Sequence, residues 1–291
     1  MLTQQQIQTA LQVQHTAAHD QSQRVRVVAG PGTGKSSAIE ERVNWLLAAG
    51  VQPDTIYAVS FTRASAVDLK ERVHRYCAAH GQPKGSLVRV STLHSLTLRT
   101  LRAAGLLNMY PADPLVLDSW ELENVFDAEF GYVSGIGKKR REQIRADHEA
   151  FWSTGQWGPA NYIPPDPAIT AAERAQFNAF HGPRTQTYSC VLPGEIVRRC
   201  VEQLNAGTLN IAQHLNLVHL IVDEYQDLNP MDLQFVDAVA AAGAVVFVAG
   251  DDDQSIYSFR FASPAGIQDF PGNNVMNQSP WHCRILQWGR G

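Results

Sequence analysis

The stretch Ala29-Gly30-Pro31-Gly32-Thr33-Gly34-Lys35-Ser36 contains the residue types that hold a phosphate chain. Glycines let the backbone turn tightly enough for successive N–H groups to face one anion, and the positive end of a following helix adds to that field. Lys35 offers a mobile positive charge to the β- and γ-phosphates of ATP, and the Ser36 hydroxyl a ligand for Mg²⁺. Ala29 stands where the strict pattern has glycine. Far downstream, the apolar residues 217–222 deliver Asp223-Glu224. An aspartate there holds Mg²⁺, directly or through water, and the glutamate beside it takes a proton from the water attacking the γ-phosphate. One carboxylate cannot both bind the metal tightly and remain a good base, so the pair divides the work. Gln254, beyond the apolar residues 244–248, is placed to sense the γ-phosphate or position that water. Asp252 nearby reads as part of a solvated acidic turn.

These groups act only if strands and helices position them. Val25-Arg26-Val27-Val28 precedes the glycine-rich loop, and Ile39, Val43, Leu46 and Leu47 follow it at helical spacing. Strand, loop and helix is the order in which a phosphate loop makes physical sense. Residues 1–20 are predicted to be a mildly amphipathic helix with Ile7, Leu11 and Val13 as its apolar positions. Residues 56–61 read as a strand, and 64–79 as a helix whose apolar positions are Val67, Leu69, Val73 and Tyr76, ended by Gly81 and Pro83. Residues 87–91 and 93–104 repeat the pair. Residues 217–222 and 244–248 are two more strands, with Asn229-Pro230 capping the helix between them. Strands alternating with helices at this spacing predict an α/β fold with a mostly parallel sheet covered on both faces.

From Gly105 to about residue 200 strand alternation is absent, and helices are predicted over 118–130, 138–152, 171–180 and 193–204. Residues 106–200 are therefore expected to be a helical insertion between residues 1–105 and 201–276, with 277–291 as a tail. Inside it, Lys138-Lys139-Arg140-Arg141 and Arg145 follow Gly135-Ile136-Gly137. Such a run is either a solvated helix face or a contact for DNA phosphate.

Composition narrows the class. The chain has 291 residues, 44% hydrophobic and 18% charged, enough for one large α/β domain carrying an insertion. A net charge of −4 does not advertise nucleic-acid binding, although a local groove is compatible with it. Cys77, Cys190, Cys200 and Cys283 stand far apart with no CxxC pair. They read as reduced thiols, against a disulfide frame, zinc site or iron–sulfur cluster. A glutamine-rich start and the lack of a membrane-length apolar run point to a cytoplasmic protein without a membrane partner, nucleoid-associated if bacterial.

Several segments carry a family resemblance. Val222-Asp223-Glu224-Tyr225-Gln226-Asp227 resembles motif II of the UvrD/Rep family of superfamily 1 DNA helicases. Gly250-Asp251-Asp252-Asp253-Gln254-Ser255-Ile256-Tyr257-Ser258-Phe259-Arg260 resembles its motif III almost letter for letter. Ser60-Phe61-Thr62-Arg63-Ala64-Ser65-Ala66 is similar to motif Ia, and Ser91-Thr92-Leu93-His94-Ser95 to motif Ib. Leu2-Thr3-Gln4-Gln5-Gln6 is similar to the Q motif, with Gln6 as the adenine-reading glutamine. With the phosphate loop these matches run in the family's order over about residues 2–262. The resemblance implies a RecA-like P-loop NTPase core whose helical insertion corresponds to the 1B subdomain. It also implies ATP-driven translocation on single-stranded DNA or at a single-strand/duplex junction. Bases would stack on Phe61, Tyr257 and Phe259, at about 1–3 kcal/mol each. Thr62, Arg63, His94 and Arg260 would contact phosphates or lock the stacking residues. By position alone Phe61 and Phe259 also suit core packing, and His94 a helix start.

The departures carry expectations of their own. Arg63-Ala64 stands where the family has Asn-Lys, Ser37 where arginine is frequent, and Phe259 where tryptophan is usual. Asn277-Gln278-Ser279-Pro280-Trp281-His282-Cys283-Arg284 is only loosely similar to motif IV. Motifs V and VI and the arginine finger of a second RecA-like lobe are not within the 291 residues. The expectation is an N-terminal ATP-binding half that binds ATP and Mg²⁺ without efficient turnover alone, its second lobe supplied by the full-length protein or another chain. The rival class is a non-catalytic ATP- and DNA-binding module acting through a partner, and DNA-stimulated ATP turnover separates the two. A small-molecule kinase on the same loop would explain neither motif Ia nor motif III.

Overall fold

Runs of β-branched and small apolar residues, each closed by a helix-starting segment, generate the core of the chain in repeated strand–helix units. A computed structural model describes residues 4–28, 30, 34–160, 162–251, 261–262, 265–271 and 273–274. Helix α1 (Gln4–Ala18) leads into β1 (Arg24–Val28), α2 (Lys35–Ala48), β2 (Ile56–Ser60), α3 (Arg63–Ala79), β3 (Arg89–Thr92) and α4 (Leu93–Ala103). The segment that follows contains β4 (Leu115–Val116), α5 (Ser119–Glu121), a π turn (Leu122–Phe126), α6 (Asp127–Ser134), α7 (Lys138–Thr154), α8 (Ala171–Tyr188) and β5 (Cys190–Val191). The chain then adds α9 (Pro193–Asn205), α10 (Ile211–Leu215), β6 (His219–Val222), α11 (Pro230–Ala241), β7 (Val245–Gly250), α12 (Ala265–Asp269) and β8 (Asn273–Asn274).

The central sheet has six strands in the order β3-β2-β6-β7-β1-β8, and every pairing is parallel. Successive side chains on a strand face opposite sides, so each strand feeds two cores. One face combines Tyr57, Val59, Leu220, Val222, Val246 and Val248 with Leu96 of α4, Ile196 and Cys200 of α9, and Phe235 and Val239 of α11. The other combines Val25, Val27, Ile56, Ala58, Ile221 and Phe247 with Ala17 of α1, Ile39 and Val43 of α2, and Leu69 and Val73 of α3. This is the α/β fold with a mostly parallel sheet expected of a RecA-like P-loop core. A third cluster lies among the π turn, α6, α7 and α8, where Phe126, Phe130, Ile144, Trp152, Phe177 and Phe180 pack together. Phe126 meets Phe180 edge-on at 5.2 Å and Phe130 meets Phe177 at 5.4 Å, arrangements aromatic quadrupoles favour.

Several expectations shift in detail. Leu11 and Val67, predicted on buried helix faces, are exposed. In α1 the core position is taken by Ala17, and in α3 by the expected Leu69 and Val73. Leu87 is also exposed, because Pro83–Leu87 forms a 3₁₀ turn and the third strand begins at Arg89. The region expected to lack strands holds β4 and β5, paired in parallel as Leu115↔Cys190 and Val116↔Val191. Two residues per strand are too few for an alternation to show. Helix α8 runs past residue 180 through Pro183, burying Phe180 and Thr185. Cys77, Cys190 and Cys200 are free and buried, and Cys283 lies outside the described residues.

Candidate nucleotide site and nucleic-acid edge

In a wholly parallel sheet all strands end at the same edge, and side chains delivered there meet across strands however distant they are in sequence. At the end of β1, Gly30 is buried and Gly34 precedes α2 at φ 92°, a conformation that side chains rarely adopt. A Cβ on Gly34 would lie 2.0 Å from Nε2 of Gln14, so α1 closes directly over the loop's last glycine. Lys35 and Ser36 are the first two residues of α2, both half-buried. Ala29, Pro31, Gly32 and Thr33 lie outside the described residues. Gln6 is placed on α1.

Strand β7 lies between β1 and β6, in register Val28↔Gly250 and Val222↔Val248. It therefore ends between the loop and Asp223. Asp251, 1% exposed, brings Oδ2 to 3.7 Å from Lys35 Nζ. Asp223 is 8% exposed and follows β6, its N–H donating to the Val59 carbonyl at 2.9 Å. Burial, reinforced by Glu224, pushes the Asp223 carboxyl up to about 6, with Lys35 and Arg72 pulling the other way. The same causes push Asp227 up to about 6. Asp227 Oδ1 is buried and accepts no hydrogen bond. Three buried carboxylates, all interacting with the one lysine, leave an excess of negative charge in the site. That donor set fits a divalent cation such as Mg²⁺, which binds hard oxygen ligands.

Glu224 sits at φ 53°, in the left-handed region, and its N–H donates to Asp223 Oδ1 at 3.0 Å. Such a backbone costs a residue other than glycine about 1–3 kcal/mol, so it persists only where neighbours over-determine it. Gln226 is the neighbour that does so. Only 4% exposed, it donates from Nε2 to Glu224 Oε2 at 2.6 Å and accepts the Asp251 N–H on Oε1 at 2.9 Å. Gly250 makes room for it, since a Cβ there would stand 2.6 Å from that Oε1. One buried amide thus ties the end of β6 to the end of β7. Gln226, Asp227 and Asp251 are the members of this site that sequence reasoning left without a role. Their available signal was position: two lie within the motif II segment, and Asp251 is the second residue of the motif III segment.

The far side of the same edge is formed by β2 and β3, paired as Ser60↔Thr92. Phe61 follows β2, half-buried and packed against the core. Thr62 caps α3, its Oγ1 accepting the Ser65 N–H at 3.0 Å. Arg63 opens that helix and is exposed. Thr92 caps α4 in the same way, accepting the Ser95 N–H at 3.2 Å, and His94 lies half-buried in the first turn. The motif Ia and Ib segments are thereby brought side by side. Gln254, Tyr257, Phe259 and Arg260 lie outside the described residues. The basic run of α7 is largely engaged in ion pairs. Lys138 meets Glu123 at 2.5 Å, Arg140 meets Glu173 at 2.6 Å, and Arg145 meets Asp127 at 2.8 Å.

A protein-family model described as an AAA domain matches residues 12–260. DNA helicase II of Haemophilus influenzae is 28% identical over 262 residues, covering 84% of this chain and 34% of that protein. DNA helicase II of Escherichia coli is 28% identical over 269 residues, with the same coverage of each. ATP-dependent DNA helicase Rep of Buchnera aphidicola is 26% identical over 268 residues, covering 86% and 39%. The chain spans about a third of the length of these relatives. Among the described residues no helix is long and apolar enough to cross a membrane.

Proposed function

Because the chain belongs to the AAA domain family and is similar to UvrD-type DNA helicases over about a third of their length, we propose that it forms the ATP-binding side of a DNA helicase or translocase. The assembly would couple ATP hydrolysis to movement on single-stranded DNA. The observation carrying this reading is the convergence of Lys35, Asp223, Glu224 and Asp251 at one sheet edge beside the glycine-rich loop. The backbone from Ala29 to Gly34 cradles the phosphates, Lys35 neutralises the β- and γ-groups, and Gln6 reads the adenine. Ser36 and Asp223 would hold Mg²⁺, which would supply positive charge to offset that developing on the phosphates. Glu224 accepts the proton of the attacking water while Gln226 holds its carboxylate in place, and Gln254 is assigned the role of sensing the γ-phosphate or positioning that water. A second RecA-like lobe completes the far wall of the nucleotide site.

On the β2–β3 side, Phe61, Tyr257 and Phe259 stack bases, and Arg63, His94 and Arg260 meet phosphates. Thr62 acts as the lock, its hydroxyl being committed to the first turn of α3. Residues 106–200 are proposed as the inserted helical subdomain, supported by their own aromatic cluster.

The test joins this chain to a UvrD-type second lobe and compares the unmodified protein with Glu224→Gln. ATP and Mg²⁺ binding should persist while DNA-stimulated hydrolysis falls at least about 100-fold, the usual loss for a missing general base. Equal hydrolysis rates would remove Glu224 from the mechanism. DNA and ATP binding without turnover in the unmodified assembly would favour a non-catalytic module.

A further inference from the structure

Beside the glycine-rich loop, α1 and α2 bring together three side chains that have no part in the function proposed above. His15 and His19 lie one helical turn apart on α1, a spacing that places both imidazoles on one face. Their ring centroids are 3.8 Å apart. Glu41 projects from the second turn of α2, and its Oε1 lies 2.7 Å from His19 Nε2. One potential ligand atom from each of the three lies within 4.8 Å of those of the other two, and among the described residues no other such group of His, Cys, Asp or Glu occurs.

The surroundings orient this cluster in the way metal ligands are oriented. The second carboxylate oxygen of Glu41 accepts the Tyr76 hydroxyl from α3 at 2.8 Å, leaving Oε1 turned towards the histidines. The His19 ring stacks on Trp45 at 5.3 Å, which limits its rotation. Hydrogen bonds and packing that fix the first ligands are a recurring part of metal sites. His15 is exposed, so the cluster is open to an ion from solvent.

We propose that His15, His19 and Glu41 form a binding site for a divalent transition-metal ion of the Zn²⁺ type. Two imidazole nitrogens and one carboxylate oxygen make up a ligand set known for Zn²⁺, with water in the fourth position. Imidazole also discriminates against Mg²⁺, which prefers oxygen ligands, so the ion that accompanies ATP would not compete. The ion would staple α1 to α2. Gln14, next to His15, is the residue that overlies Gly34, so the staple sits one residue from the cover of the glycine-rich loop. The inference does not depend on what the nucleotide site does.

The test uses the full chain without an affinity tag, stripped with a chelator and titrated with Zn²⁺ against a competing chromophore in excess Mg²⁺. One equivalent should bind, and Co²⁺ in its place should show the d–d absorption of a nitrogen- and oxygen-ligated ion. His15→Ala removes an exposed ligand and should weaken Zn²⁺ binding at least about tenfold with the fold intact. Glu41→Gln should do the same. Zn²⁺ should also raise the thermal midpoint of the unmodified chain, and not that of His15→Ala. Equal Zn²⁺ affinity in the unmodified chain and both variants would place any bound ion elsewhere and overturn the proposal, as would failure to bind at all.

Discussion

Replacing Gln226 by leucine tests whether the two acidic strand ends are mechanically tied. Leucine has a similar volume and suits a buried position, but it can neither donate to Glu224 nor accept from Asp251. The lost bond to the Glu224 carboxylate is worth about 1.5–3 kcal/mol, and an N–H left unpaired in a buried position costs about 1–3 kcal/mol. Both effects pass through one side chain and overlap, so a total near 3 kcal/mol is expected. The most direct readout is hydrogen exchange of the Asp251 amide, whose acceptor disappears. At about 1.4 kcal/mol per factor of ten, its protection should fall by roughly 5- to 150-fold. Glu224→Gln keeps the Gln226–Asp251 bond and should leave that amide protected. Gly250→Ala attacks the same bond from the other side, because its methyl would meet Gln226 Oε1 at 2.6 Å, and should also speed exchange. An Asp251 amide that exchanges at the unmodified rate in folded Gln226→Leu would refute the tie between β6 and β7.

Lys35→Ala should weaken ATP binding at least about tenfold, since a charge-assisted contact to phosphate is lost, and a binding titration checks it. Arg63→Ala should lower the salt dependence of single-stranded DNA binding by about one counterion, whereas Phe61→Ala should weaken binding without changing that slope. His219, at the start of β6, is pushed down to about 4 by burial, with Arg42 adding to the effect. Above pH 6.5 both folded and unfolded chains hold it neutral. Between 6.5 and 4 only the unfolded chain takes up the proton. Stability should therefore fall there by about 1.4 kcal/mol per pH unit, and His219→Gln should remove that part of the slope in urea unfolding at pH 7 and pH 5.

Much of the fold was legible because its signals are local. A glycine-rich loop between an apolar strand and a helix carries its own conformational demand. So does the cap read at Asn229, which accepts the N–H groups of Met231 and Asp232, a bond written in adjacent sequence; the caps at Thr62 and Thr92, equally local, were not read from the sequence. The strands of the central sheet were readable because a doubly covered parallel strand is a continuous apolar run. What sequence alone left open depends on partners far away in the chain. Leu11 and Val67 fit a helical period, yet which arc of an amphipathic helix is buried is decided by the surface it meets. The β4–β5 pairing joins residues 75 apart through only two residues on each side. Asp251 sat in what reads locally as an acidic turn, and became a buried partner of Lys35 once β7 inserted between β1 and β6. Gln226 is two residues from Glu224 in sequence, but its second partner, the Asp251 N–H, is 25 residues away. The residue types needed for phosphate and metal chemistry were thus fixed by composition and order along the chain. Their distances, burial and charge balance came from the strand order, because a parallel sheet aligns its C-terminal ends in an order that no single segment encodes.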